Sequence, residues 1–180
     1  MKTTSTRAIV ITALLSAIGI AIPMFSPVKF VLGPASMTLG SHIAIFIAMF
    51  LSPGIAVAVS LITALGFFLG GFPIVIVARA ITHVIFSFLG ALMLIRTPNI
   101  MKSITQLVLF SLVVAAVHAV CEVIAVMPFY FGNQMAADVY ARGFMMSVVL
   151  LVGGITVLHS MIDFWIALPV WKALQLQKRS

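Results

Sequence analysis

Apolar residues run along the chain in six stretches, at 8–22, 40–51, 54–69, 73–95, 103–127 and 144–171, separated by proline, glycine and charge breaks. All but three of the charged residues lie outside these stretches. A membrane span needs about 20 apolar residues to cross roughly 30 Å of hydrocarbon. The pattern therefore predicts an all-α integral membrane protein of about six transmembrane helices in one compact bundle, with residues 1–180 as a single domain. The second and third stretches are short and divided only by Ser52 and Pro53, so counts of five and seven spans stay open beside six. Residues 1–7 are polar and lead into the first stretch like the start of a signal peptide. No small-residue cleavage site followed by a polar segment comes after them, and the first stretch is expected to be kept as a span.

Composition agrees with this pattern. At 63% hydrophobic and 7% charged residues, the chain is far from the balance of a soluble domain. A net charge of +7 would suggest nucleic acid in a soluble protein. Here the basic residues sit at span ends, where topology explains them, and nucleic acid is excluded as a partner. With the amino terminus in the cytoplasm, the inner side receives Lys2, Arg7, Arg96, Lys102, Lys172, Lys178 and Arg179, and the outer side only Lys29 and Arg142. That asymmetry predicts a multi-pass protein of the cell membrane with both termini cytoplasmic. The long connections 23–39 and 128–143 then face outward, and loops of that length usually serve as lids or binding loops or are disordered.

Ionisable side chains within spans are costly and are functional candidates by default. Arg79 lies six residues after Pro73, about 9 Å below the outer end of the fourth span. Glu122, five residues before the outer end of the fifth, falls at nearly the same depth. His83 follows Arg79 at i+4 and His118 precedes Glu122 at i−4, giving two stacked polar layers in the outer half. Two readings are open: a buried Arg79–Glu122 ion pair that fixes helix packing, or a guanidinium that offers its fork to a substrate carboxylate, with Glu122, His83 and His118 orienting it. His42, at the outer end of the second span, faces either this pocket or the interface. Asn133 and Gln134 either touch a ligand or are simply polar loop residues. Phe86, Phe129, Tyr130 and Phe131 are candidates to pack a ring or apolar stem. His159 and Asp163, also i,i+4, read as a structural pair in the inner half of the last span, distant from the outer pocket.

Several chemistries lose support. The chain has no G-x-x-x-x-G-K-(S/T) phosphate loop, no H-E-x-x-H and no G-x-S-x-G, so ATP hydrolysis, zinc proteolysis and serine hydrolysis are not expected. Cys121 is the single cysteine, which excludes an internal disulfide and a multi-cysteine metal site. Four histidines without clustered cysteine or carboxylate ligands argue against a transition-metal site. Neither a cofactor nor an enzyme activity is expected.

The first span carries Ala13, Ala17 and Ala21 at i+4 steps, a stripe of small residues that lets helices approach closely in lipid, either within the bundle or against another membrane protein. Together with the start Thr6-Arg7-Ala8, the break Ser52-Pro53-Gly54 and the ending Leu158-His159-Ser160-Met161-Ile162-Asp163, this stripe makes the whole chain resemble the substrate-binding S component of an energy-coupling factor (ECF) vitamin transporter, of the niacin or pantothenate type. Many such proteins have Gly-Pro where this chain has Ser52-Pro53.

The resemblance implies a water-soluble vitamin held near the outer face under a lid formed by 23–39. It also implies docking through Ala13, Ala17 and Ala21 onto a transmembrane coupling protein (EcfT) that carries two ATPase subunits, and toppling in the bilayer to release the vitamin inside. Beside it, Arg79 and His83 suit a carboxylate, with nicotinate first, pantothenate next, and folate or biotin behind them. A stand-alone carrier using Glu122 as a proton site, and a structural or assembly protein without a ligand, are the alternatives.

Overall fold

The structure, a computed structural model, describes residues 5–176. Lys2, Lys178 and Arg179, three of the cations in the charge asymmetry, lie outside the described residues. In chain order the elements are helix α1 (Ser5–Phe25), a hairpin of β1 (Lys29–Leu32) and β2 (Ala35–Thr38), α2 (Ile43–Leu51), α3 (Pro53–Leu69), α4 (Ile74–Arg96), a 3-10 turn (Pro98–Lys102), α5 (Ile104–Phe131), α6 (Ala137–Ala141), a π-helical segment (Met145–Gly153) and α7 (Gly154–Leu176). All six apolar stretches are helical. Among the described residues, α1, α4, α5 and the continuous run Met145–Gln175 are each long and apolar enough to cross a membrane, and Pro53–Leu69 is a shorter apolar helix.

The break between α2 and α3 follows from two residues. The Ser52 hydroxyl accepts from the backbone N–H of Ile55 at 3.2 Å, and Pro53 opens the new helix, where its missing N–H removes a donor that has no partner in any case. The nine residues of α2 are too few to cross a bilayer. Its residues Ala44 to Met49 are all buried, as befits a helix that is hydrophobic all round. It packs against α1, α3, α4 and α7 and forms the centre of the main apolar core, with Phe46 lying between Phe86 and Phe164.

Around this pin α1 lies on α3 through small residues. A Cβ at Gly66 would come within 2.2 Å of Ile20 Cδ1, and one at Gly19 within 2.8 Å of Thr63 Oγ1, so backbone proximity here depends on the missing side chains. Leu15, Ser16, Gly19 and Pro23 form the inward face of α1, whereas Ala13, Ala17 and Ala21 are exposed on its other side. Internal packing, one of the two readings of the alanine stripe, therefore does not occur within the described residues.

The hairpin is an element that hydropathy did not predict. Its strands are antiparallel, with Lys29 opposite Thr38 and Leu32 opposite Ala35. Gly33 turns the chain at φ +59°, a conformation that glycine adopts without penalty. Ala35 is fully buried against Val126 of α5 and Val148 and Val152 of the π-helical segment, which seats the hairpin across one end of the bundle.

Candidate functional site

Arg79 and Glu122 come from α4 and α5, which pack side by side. Arg79 Nη2 donates to Glu122 Oε2 at 2.9 Å, and both side chains are buried. The same guanidinium also holds the hairpin: Nη1 donates to the Pro34 carbonyl at 3.1 Å and the Ser36 hydroxyl at 3.0 Å, and Nη2 to the Ser36 carbonyl at 3.2 Å. Thr156 Oγ1 donates to Glu122 Oε2, and His83 Nε2 lies 3.4 Å from Oε1. The carboxylate thus gains the several hydrogen bonds that a buried charge requires. The Nη groups of Arg79 are occupied, and its buried Nε has no partner.

A second carboxylate anchors the other end of the same loop. Asp163 Oδ1 accepts from the Gly40 N–H at 2.8 Å, and Oδ2 accepts from the His42 N–H at 2.9 Å. The ring nitrogens His42 Nδ1 and His159 Nε2 lie 3.1 and 3.0 Å from Oδ2. His159 Nε2 is also 2.9 Å from the Thr38 carbonyl, which can only accept, so this nitrogen carries the proton. An anion at the start of α2 suits both the free N–H groups and the helix dipole.

This corrects the placement of His159 and Asp163 away from the pocket. Counting residues from each span end assumes that every helix begins at the membrane surface. In fact the chain descends past the hairpin and α2 begins deep in the bundle, where α7 meets it.

These groups surround a cavity of about 140 Å³. Its polar wall contains Lys29, Ser36, Thr38, Ser41, His42, Arg79, His83, Glu122 and His159. The apolar wall includes Ile45, Phe67, Phe72 and Ile76, and the rings of Phe67 and Phe72 are stacked with centroids 4.7 Å apart.

Of the residues expected at the site, Arg79, Glu122, His83 and His42 line the cavity. His118 is fully buried behind it, its ring centroid 4.9 Å from that of His83, as the second of the two stacked layers predicts. Phe86 does not reach the cavity, because its ring is enclosed beneath the histidines by Phe46 and His118. Asn133 is exposed at φ +54° in the turn that ends α5 and is absent from the cavity wall, as is Gln134. Tyr130 packs instead with Phe131, Tyr140 and Phe144. The expectation that the histidines lack clustered carboxylates is also corrected, since the fold brings all four together with Glu122 and Asp163. Sequence reasoning missed Phe67, Phe72 and Thr63, the last of which also lines the cavity. The i,i+4 spacing of Thr63 and Phe67 along α3 is their one sequence signal.

Apolar helices enclosing a small, partly charged chamber define a multi-pass helical membrane protein with a compartment for a solute. The chain is 35% identical over 176 residues, 96% of its length and 77% of the relative's, to the niacin transporter NiaX of Lactococcus lactis subsp. cremoris (strain MG1363). No family model and no solved structure matches it. The chain belongs to this family, the niacin-type S components of energy-coupling factor vitamin transporters. It is a transport protein and not an enzyme.

Proposed function

We propose that the chain is the substrate-specific binding subunit of an ECF-type importer and that its vitamin is niacin, bound as nicotinate. The observation that carries this reading is the cavity itself, in a chain 35% identical to a niacin transporter. At about 140 Å³ it is well below the roughly 300–1,000 Å³ of pockets for drug-sized ligands, which favours a single-ring acid over folate. Lys29 at the rim and the unpartnered Nε of Arg79 supply positive charge for a carboxylate. Phe67 and Phe72 offer aromatic faces to the ring. Arg79 has a double part in this reading: it draws the carboxylate and latches loop 23–39 over it.

Uptake is driven by ATPases on partner subunits, joined through the coupling protein EcfT, which docks on Ala13, Ala17 and Ala21. The exposure of all three side by side on α1 supports that docking face. The cavity opens to the outside and both termini lie in the cytoplasm.

The test is mass spectrometry of ligand released from the purified protein, followed by calorimetric titration with nicotinate and nicotinamide. Nicotinate is expected in the released fraction and in a saturable titration. The amide is expected to bind roughly 10- to 100-fold more weakly, the worth of one charge-assisted hydrogen bond. Release of a different vitamin, or no nicotinate binding, overturns the assignment.

A further inference from the structure

His42, His83 and His118 come from the start of α2, from α4 and from α5, yet each places a ring nitrogen within 4.8 Å of the others'. All three are buried. Hydrogen bonding accounts for only one side of the trio. His83 Nδ1 and His118 Nδ1 have no partner, and His118 Nε2, 3.4 Å from Glu122 Oε1, makes no aligned hydrogen bond, although buried polar groups are nearly always bonded. The neighbouring trio of His42, His159 and Asp163 is different, because its atoms are bonded to one another and to the loop backbone. The two carboxylates leave the first trio poised. Asp163 accepts from His42 Nδ1–H, which leaves the lone pair on Nε2, and Glu122 Oε1 stands at Nε2 of both His83 and His118, leaving their Nδ1 atoms free. A carboxylate behind a ring nitrogen is the arrangement that orients metal-binding histidines. The charges of the buried groups also favour a cation, since Arg79 is outnumbered by Glu122 and Asp163.

From this geometry we propose that His42, His83 and His118 form a binding site for one divalent transition-metal ion of the zinc class, held by three imidazoles with a fourth position open to the cavity. An all-nitrogen set with no thiolate suits zinc, cobalt, nickel or copper and is poor for magnesium or calcium. Tetrahedral coordination at about 2.0–2.1 Å puts ligand nitrogens roughly 3.3–3.4 Å apart. The three rings therefore close in by about an ångström when the ion enters. His42 and His83 line the cavity and His118 lies behind them, so the open position faces the chamber. The site stands whichever vitamin the chamber holds.

The experiment is a titration of untagged, chelator-treated full-length protein in detergent with Co²⁺ alone, followed by its visible absorption and by competition with Zn²⁺. One equivalent is expected to bind with the intense bands of tetrahedral cobalt, and Zn²⁺ is expected to displace it. His83→Gln and His118→Gln are expected to abolish the bands. Asp163→Asn, which acts through His42, is expected to weaken binding by roughly 10- to 100-fold. Elution profile and thermal stability in the absence of metal show that each variant is folded. A wild-type protein without saturable stoichiometric cobalt binding overturns the proposal, as does a site retained in His118→Gln. Nicotinate binding by the metal-free protein is measured separately, so a failure of the metal site does not bear on the vitamin.

Discussion

The contacts of Arg79 change how its role can be tested. Its guanidinium bonds Glu122, Ser36 and Pro34 at once, so truncation to alanine would release the loop and leave a carboxylate buried without its cation. Loss of vitamin binding in that variant would not identify a ligand contact. The partner is a cleaner probe. Glu122→Gln leaves Arg79 charged and unpaired, which is expected to cost about 3–5 kcal/mol. Adding Arg79→Met removes the stranded charge and is expected to recover most of that loss. Denaturant unfolding in detergent reads both, and a double variant no more stable than Glu122→Gln would show that the pair contributes nothing as a unit. The pairing was legible in the sequence because Arg79 and Glu122 stand at matching depths on two long helices. For Asp163 only the i,i+4 pairing with His159 was legible; its hold on the backbone N–H groups of Gly40 and His42 carries no sequence signature.

Among the elements, α1 has two faces with different uses. Gly19 lies close to Thr63 of α3, while Ala13, Ala17 and Ala21 are turned outward with no partner among the described residues. Ala17→Trp is expected to leave nicotinate binding unchanged within about twofold and to abolish uptake by the assembled transporter, because bulk at a small-residue interface keeps helices apart. Vesicle uptake and calorimetry on the same variant check this, and loss of both activities together would show that the stripe serves folding. Hydropathy located all six apolar helices but not that α2, nine residues long and buried on every side, is a core helix too short to span. The β-hairpin escaped it because strands of four residues leave almost no periodic signal. The π-helical segment escaped it because its residues are as apolar as those of the α-helix it joins.

At the scale of the whole molecule, the described cations divide unequally between the two ends of the bundle. Arg7, Arg96, Lys102 and Lys172 lie at the end opposite the hairpin, while Lys29 and Arg142 lie at the hairpin end. This is the asymmetry expected if the hairpin end faces outward. With Cys121 replaced by alanine, Ser26→Cys is expected to react with an impermeant maleimide on intact cells, and Thr97→Cys only after permeabilisation. The opposite pattern would invert the topology and turn the cavity toward the cytoplasm.

The two ends of loop 26–42 are attached by different kinds of bond. At the tip, Arg79 binds Ser36 in part through its hydroxyl, so that attachment depends on which residue occupies the position. At the base, Asp163 grips the main-chain N–H groups of Gly40 and His42, which nearly every amino acid possesses. The base attachment therefore makes no demand on side chains, apart from the φ of +83° that favours glycine at Gly40. Residues along the rim, Lys29 and Met37 among them, can be exchanged to suit a different solute while the loop keeps its place in the bundle.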